Sequence, residues 1–205
     1  MDYNEIHTAS FFDDIYKKSH KIVNPDVRES VVRLAKLLPK GSAVLDLGSG
    51  QGANAIYLAK KGMKVTCIDI SKVGLLQTEE RAEAMKLDIE FGFCNALDFR
   101  PQRKFDAVIS IFLTEYLETL EKAKKHIELM KQWTKNGGYN VVASMVGDST
   151  AESDFLFFAD NDLLKHYSDW MIDDFEKGRM LYRLEKRVPA YYNEIFVKKP
   201  KVSNK

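Results

Sequence analysis

The chain has 205 residues, with 31 Lys and Arg against 30 Asp and Glu, so its formal charge is +1. A composition of 45% hydrophobic and 30% charged residues is ordinary for a soluble globule and excludes global disorder. The length suits one domain with a real core, no run nears the roughly 18 to 20 apolar residues of a membrane span, and the balanced charge gives no nucleic-acid footprint. The opening MDYNEIHTASFFDD has acids where a secretory signal would be basic, and Cys67 and Cys94 both sit in apolar runs. These features point to buried free thiols and a cytoplasmic protein.

Asn24-Pro25-Asp26 offers a capping side chain, a first-turn proline and an acid at the positive end of a helix. With Val27, Val31, Leu34 and Leu38 at helical spacing it predicts a helix that stops at Pro39-Lys40-Gly41. AVLDL then reads as a buried strand ending in Gly48-Ser49-Gly50-Gln51-Gly52. ANAIYLAKK predicts a helix closed by Gly62, and KVTCIDI a second strand. A helix from about Lys72 to Leu87 leads to IEFGFC and DAVISIF, the third and fourth strands.

A helical pattern from about Tyr116 to Lys135 ends at Asn136-Gly137-Gly138, and its Lys122 to His126 run reads as the wet face. YNVVASM is the fifth strand. NDLLKHYSDW predicts a short helix, and MIDDFEK and YYNEIFVKK two last strands around a basic loop from Gly178 to Pro189. Strands alternating with helices define an α/β fold with a doubly wound, mostly parallel sheet and helices on both faces.

The glycine turn between the first strand and its helix lets a ligand approach the backbone. Gly48, Gly50 and Ala53 satisfy a dinucleotide pattern, with Asp69 placed for ribose hydroxyls, so a nicotinamide cofactor is one reading. Asp46 argues the other way. A carboxylate two residues before Gly48 repels a pyrophosphate but favours an ammonium or sulfonium. A plain tight turn, with Asp69 as a helix-capping acid, is the bland alternative.

The stretch VLDLGSGQGANAIYLAKKGMKVTCIDIS resembles the class I methyltransferases that use S-adenosyl-L-methionine. Cys94 to Asp98, Phe105-Asp106 and Gly137-Gly138 follow in the family's order. The resemblance implies a seven-stranded sheet with the last strand antiparallel. It also implies that Asp46, Gly48, Ser49, Gly50 and Gly52 hold the methionine portion of the cofactor. Asp69 would take the ribose, Ile70 the adenine face, Asn95 the adenine amino group and Ala96 the base edge. Ser110 and Ile111 would lie beside the methyl donor, and S-adenosyl-L-homocysteine would be the product. Ile70 and Ile111 also fit plain core, and Asn95 a turn.

GGYNVVASM followed by FLFFADNDLLKHYSDW is similar to the tellurite-resistance methyltransferases of the TehB type. That likeness implies a small-molecule acceptor such as a selenium or tellurium oxyanion, with no nucleic acid or membrane partner and no stated oligomer. It implies one domain over 1–205: a helical cap or lid over 1–40 with Tyr16 above the cofactor, a core over 41–145, and an acceptor side over 146–198. The family's Arg after the glycine turn is Ala53 here, and its late His-Arg pair aligns with Tyr182-Arg183, the candidate catalytic residues. Another small metabolite, or a non-catalytic cofactor-binding module, remains an alternative. The four histidines and two cysteines show no metal-ligand spacing, so no metal is expected.

Overall fold

Each short apolar run becomes a strand and each amphipathic stretch the helix that crosses back over it. The computed structural model describes residues 8–18, 22, 26–147, 158–183 and 187–201. The strands are β1 (Ala43–Leu47), β2 (Lys64–Asp69), β3 (Ile89–Phe93), β4 (Phe105–Ile111), β5 (Thr134–Val146), β6 (Met171–Arg183) and β7 (Arg187–Lys198). The helices are α1 (Ala9–Lys18), α2 (Glu29–Leu37), α3 (Ala53–Lys60), α4 (Lys72–Ala84), α5 (Leu120–Trp133) and α6 (Asp162–His166).

The seven strands lie in the order β3-β2-β1-β4-β5-β7-β6. β1 to β5 pair in parallel, and β7 runs antiparallel between β5 and β6. This is the doubly wound, mostly parallel sheet expected from the alternation, with its last strand reversed.

Strand side chains alternate between two cores. Val44, Ala107, Ile109, Val141 and Phe196 pack with Val31 and Leu34 of α2 and Ile56 and Leu58 of α3. Leu45, Leu47, Val108, Val142 and Ile195 pack with Ile127, Met130 and Trp133 of α5. Each fully buried side chain of this size contributes about 1.5–3 kcal/mol. The order reverses at β1 and β4, so the crevice at their C-terminal ends is where a ligand fits.

Four expectations need correction. Helix α2 begins at Glu29, not near Pro25. Arg28 is extended (φ −64, ψ 140), and its carbonyl accepts from Val31 and Val32 N–H at 3.0 Å. Asn24 and Pro25 lie outside the described residues. The long fifth helix starts only at Leu120, capped by the Thr119 hydroxyl accepting from Lys122 N–H (3.1 Å), after a 3-10 turn at Thr114–Tyr116. Asn136-Gly137-Gly138 lies inside β5 rather than ending the helix. A Cβ at Gly138 would meet the Asp106 carbonyl at 2.7 Å, which is why glycine stands there.

The basic loop expected from Gly178 to Pro189 is instead hairpin. The ladder continues from Gly178↔Tyr192 to Arg183↔Arg187. Antiparallel pairing is a backbone property, so the missing apolar alternation did not prevent it.

Candidate functional site

The glycine turn is positioned by both of its strands. Gly48 and Ser49 N–H donate to the Ile68 carbonyl (2.8 and 3.2 Å), tying the turn to the end of β2. Gly48, Gly50 and Gly52 all take positive φ, at 70, 53 and 75. A Cβ on Gly52 would sit 2.2 Å from Thr78 Cγ2, so this corner tolerates no larger residue. Arg81 of α4 donates through Nη2 to the Gln51 carbonyl and braces the turn from outside.

Two acids lie under it. Asp46 is 2% exposed, and its Oδ2 has no hydrogen-bond partner. Burial, with Asp69 nearby, pushes its carboxyl up to about 7. Asp69 accepts from Gly50 N–H through Oδ2 and from Ser71 N–H through Oδ1, both at 2.7 Å. Its pKa is raised, first by burial and against these bonds. The Ser49 hydroxyl has the Cys67 thiol beside it. A buried, unpartnered carboxylate beside a second acid is the chemistry of a seat for a cation.

Helix α1 lies against this turn. Asp13 Oδ1 accepts from the Ser71 hydroxyl (2.6 Å) and from Val73 N–H (3.1 Å) at the start of α4. Tyr16 enters the space left by two glycines: a Cβ at Gly50 would meet its hydroxyl at 2.8 Å, and one at Gly74 its ring at 2.9 Å. Burial, then the Asp69 charge, raise the Tyr16 phenol above its ordinary range.

The remaining candidates are spread along the same edge. Ile70 and Ile111 are half-buried, and Ile111 packs on the α2–α3 core. Ala96 is core on the opposite side. Asn95 is exposed and spends its Oδ1 on Leu97 N–H (2.9 Å). Ser110 is fully buried, with its hydroxyl 2.9 Å from His126 Nε2. His126 is therefore core and not the wet face of α5, and burial lowers its pKa to about 4.

Tyr182 and Arg183 lie on β6 opposite Val188 and Arg187, at the hairpin end far from Lys198, and their side chains are outside the described set. So are Phe155 to Phe157. Phe158, Tyr167 and Trp170 belong to the core; the Tyr167 hydroxyl accepts from Asn140 Nδ2 at 2.9 Å.

Several groups at this edge were missed in the sequence. Glu115 is fully buried on the turn after β4. Its Oε2 accepts from the Thr114 hydroxyl (3.0 Å), its Oε1 has no partner, and burial pushes it up to about 7. Its one signal was its place just past the end of a central strand. Arg28 is the other, paired with Glu194 of β7, and nothing in the local sequence marked it. A cavity of about 340 Å³ opens where β5 ends, lined by Val146, Gly147, Asp160, Lys177, Tyr192 and Asn193 among others.

The strand order, the reversed β7 and a glycine turn over a buried acid together define the class I methyltransferase fold. Within that class the chain belongs to the TehB family: the family described as "Tellurite resistance protein TehB" matches residues 6–186. A relative named "Probable S-adenosyl-L-methionine-dependent methyltransferase TehB", from Haemophilus influenzae, is 33% identical over 155 residues. Those residues are 74% of this chain and 54% of that protein. The chain thus spans about half the length of the curated relatives it matches. The crystal structure of TehB from Haemophilus influenzae superposes with a TM-score of 0.76 at 25% identity, covering 92% of this chain and 67% of that one. The N-methyltransferase NodS from Bradyrhizobium japonicum, solved with S-adenosyl-l-homocysteine, shares the fold alone: TM-score 0.72, 15% identity, 93% and 99% coverage.

Proposed function

We propose that this chain transfers a methyl group from S-adenosyl-L-methionine to a small-molecule acceptor, an oxyanion of the tellurite or selenite kind. The observation that carries the cofactor is Asp46, a buried carboxylate with an unpartnered oxygen under a turn built on three glycines. When bound, the cofactor supplies a methyl on a positively charged sulfur, already activated for transfer. Asp46 faces the methionine ammonium, and the Gly48 to Gly52 backbone with Ser49 receives the rest of that portion. Asp69 retains lone pairs for ribose hydroxyls while it ties the turn, and Tyr16 covers the seat from α1. Ile70, Asn95 and Ala96 frame the base, and Ser110 and Ile111 border the methyl.

The chain's own work is to orient both partners and keep water away. The selenium or tellurium lone pair that attacks the methyl carries no proton, so no general base is required for that step. The family's tellurite-resistance description supports this acceptor, as do Arg179, Arg183 and Arg187 on the hairpin. Tyr182 and Arg183 are the acceptor-side residues of this reading. Of the first 40 residues, helix α1 acts as the cap while α2 packs on the sheet, and the free thiols Cys67 and Cys94 suit the cytoplasm.

Calorimetry with S-adenosyl-L-methionine tests the cofactor, and release of S-adenosyl-L-homocysteine with sodium tellurite or selenite tests the acceptor. Asp69→Ala is expected to weaken cofactor binding by about tenfold or more. Equal affinity in both proteins would remove the ribose assignment. Cofactor binding without turnover of either oxyanion would point to a different small metabolite.

A further inference from the structure

Arg28 has no part in the reading above, yet its surroundings place it on the same edge. Its backbone N–H donates to Asn54 Oδ1 (3.3 Å), two residues past Gly52, so the chain passes beside the glycine turn. Its side chain then crosses to the far strands. The guanidinium lies 5.4 Å from the Phe112 ring centroid and 4.6 Å from that of Tyr192. Nε donates to Glu194 Oε2 at 2.9 Å, and Nη2 donates to the same oxygen. The residue thus links the helix after the turn, through its backbone, to Phe112 and β7, through its guanidinium.

The seat is built at a cost. Phe112 holds φ 56, a left-handed conformation that a bulky residue rarely adopts. That conformation sets its ring edge-on to Tyr192 at 5.8 Å, which makes one wall of the seat. The Tyr192 hydroxyl is held in turn by Glu176 Oε1 at 2.8 Å. Glu194 is 4% exposed, so Arg28 rests beside a counter-ion that water hardly reaches. Both bonds to Glu194 end on a single carboxylate oxygen, the Tyr192 hydroxyl takes a further donor, and a guanidinium has more donors than these contacts use.

We propose that Arg28 is a specificity-determining residue that orients the methyl acceptor. Its guanidinium takes an oxygen of a small oxyanion where β4 ends and β7 passes, and Glu194 sets how much positive charge Arg28 offers. This rests on the acceptor class proposed above. A planar guanidinium held by two rings presents a fixed donor fork, which suits an oxyanion better than a mobile ammonium. The arrangement predicts opposite signs for its two halves. Loss of the Arg28 charge weakens oxyanion binding, while loss of the Glu194 charge strengthens it. A pair that only braced α2 against β7 would lose function from either side.

The test titrates the full chain, saturated with S-adenosyl-L-homocysteine, with sodium selenite in a calorimeter. Wild type, Arg28→Gln, Arg28→Lys and Glu194→Gln are compared, with S-adenosyl-L-methionine affinity measured beside each. Arg28→Gln should bind selenite about tenfold or more weakly, with cofactor affinity kept within about twofold. Arg28→Lys should fall between, and it reports on the charge should the Gln variant fail to fold. Glu194→Gln should bind selenite more tightly and with a steeper salt dependence.

Unchanged selenite affinity in Arg28→Gln overturns the proposal. So does weakening in Glu194→Gln, and so does a wild type that takes no selenite. Selenite bound with these signs but never methylated upholds the seat and overturns only the acceptor named above.

Discussion

Asp46 keeps one buried oxygen, Oδ2, without a hydrogen-bond partner, and the behaviour of its carboxyl with pH follows. In the free protein it keeps its proton up to about pH 7. A cationic ligand needs the carboxylate, so binding expels that proton. Cofactor affinity should then fall by about tenfold for each pH unit below 7 and level off above it. Calorimetry in buffers of different ionisation enthalpy measures the proton directly. Asp46→Asn should bind weakly at every pH, and a wild type indifferent to pH would contradict the assignment.

Glu115 carries a related prediction for stability. Its folded pKa of about 7 lies above the unfolded value near 4.3, so the native state holds the proton more tightly. Its stabilising contribution is full below about pH 4.3 and is lost as pH rises through 7. Glu115→Gln should gain on the order of 1–3 kcal/mol over wild type near pH 8 and nothing near pH 4, read by urea denaturation. At this scale the sequence was legible wherever the geometry is local. Asp46 and the three glycines announce themselves by spacing along one strand and turn. Glu115, His126 and Arg28 owe their states to partners or burial supplied by other elements, which no neighbouring residue records.

The elements show the same division. β1 to β4 were legible because each is a short apolar run bounded by turn residues, and burial of β1, β2 and β4 on both faces removes ambiguity there. The β6–β7 hairpin was half hidden. Its outer part is basic and lies at the sheet edge, where backbone pairing forms the strand and side chains give no period. β5 was shortened in the reading because Gly137-Gly138 looks like a helix stop. The glycine at 138 answers a neighbouring strand instead. Gly138→Ala should cost about 1–3 kcal/mol, since its Cβ would press on the Asp106 carbonyl at 2.7 Å. A shifted urea midpoint with an unchanged slope is the expected result.

For the whole molecule, the two cores and the open strand ends divide the work of stability and binding. Ligand binding should therefore feed back on folding. At S-adenosyl-L-methionine near 100 times its Kd the chain should gain about 2.7 kcal/mol. Because Asp46 must lose a proton, the thermal shift at a fixed cofactor concentration should be larger at pH 8 than at pH 6. An equal shift at both would separate stability from that carboxylate. The near-neutral total charge of +1 hides this organisation, since acids gather under the turn and cations meet the far strands.

The reversed β7 has a consequence for how the protein is made. β6 pairs only with β7, and β7 alone joins it to β5. A chain emerging from the ribosome can therefore build β1 to β5 and the cofactor turn while β6 waits without a neighbour. Until residues 187–198 appear, β5 is an open edge and Arg28 lacks both Tyr192 and Glu194. Translation thus lays down β1 to β5 before β7 can close the edge of β5.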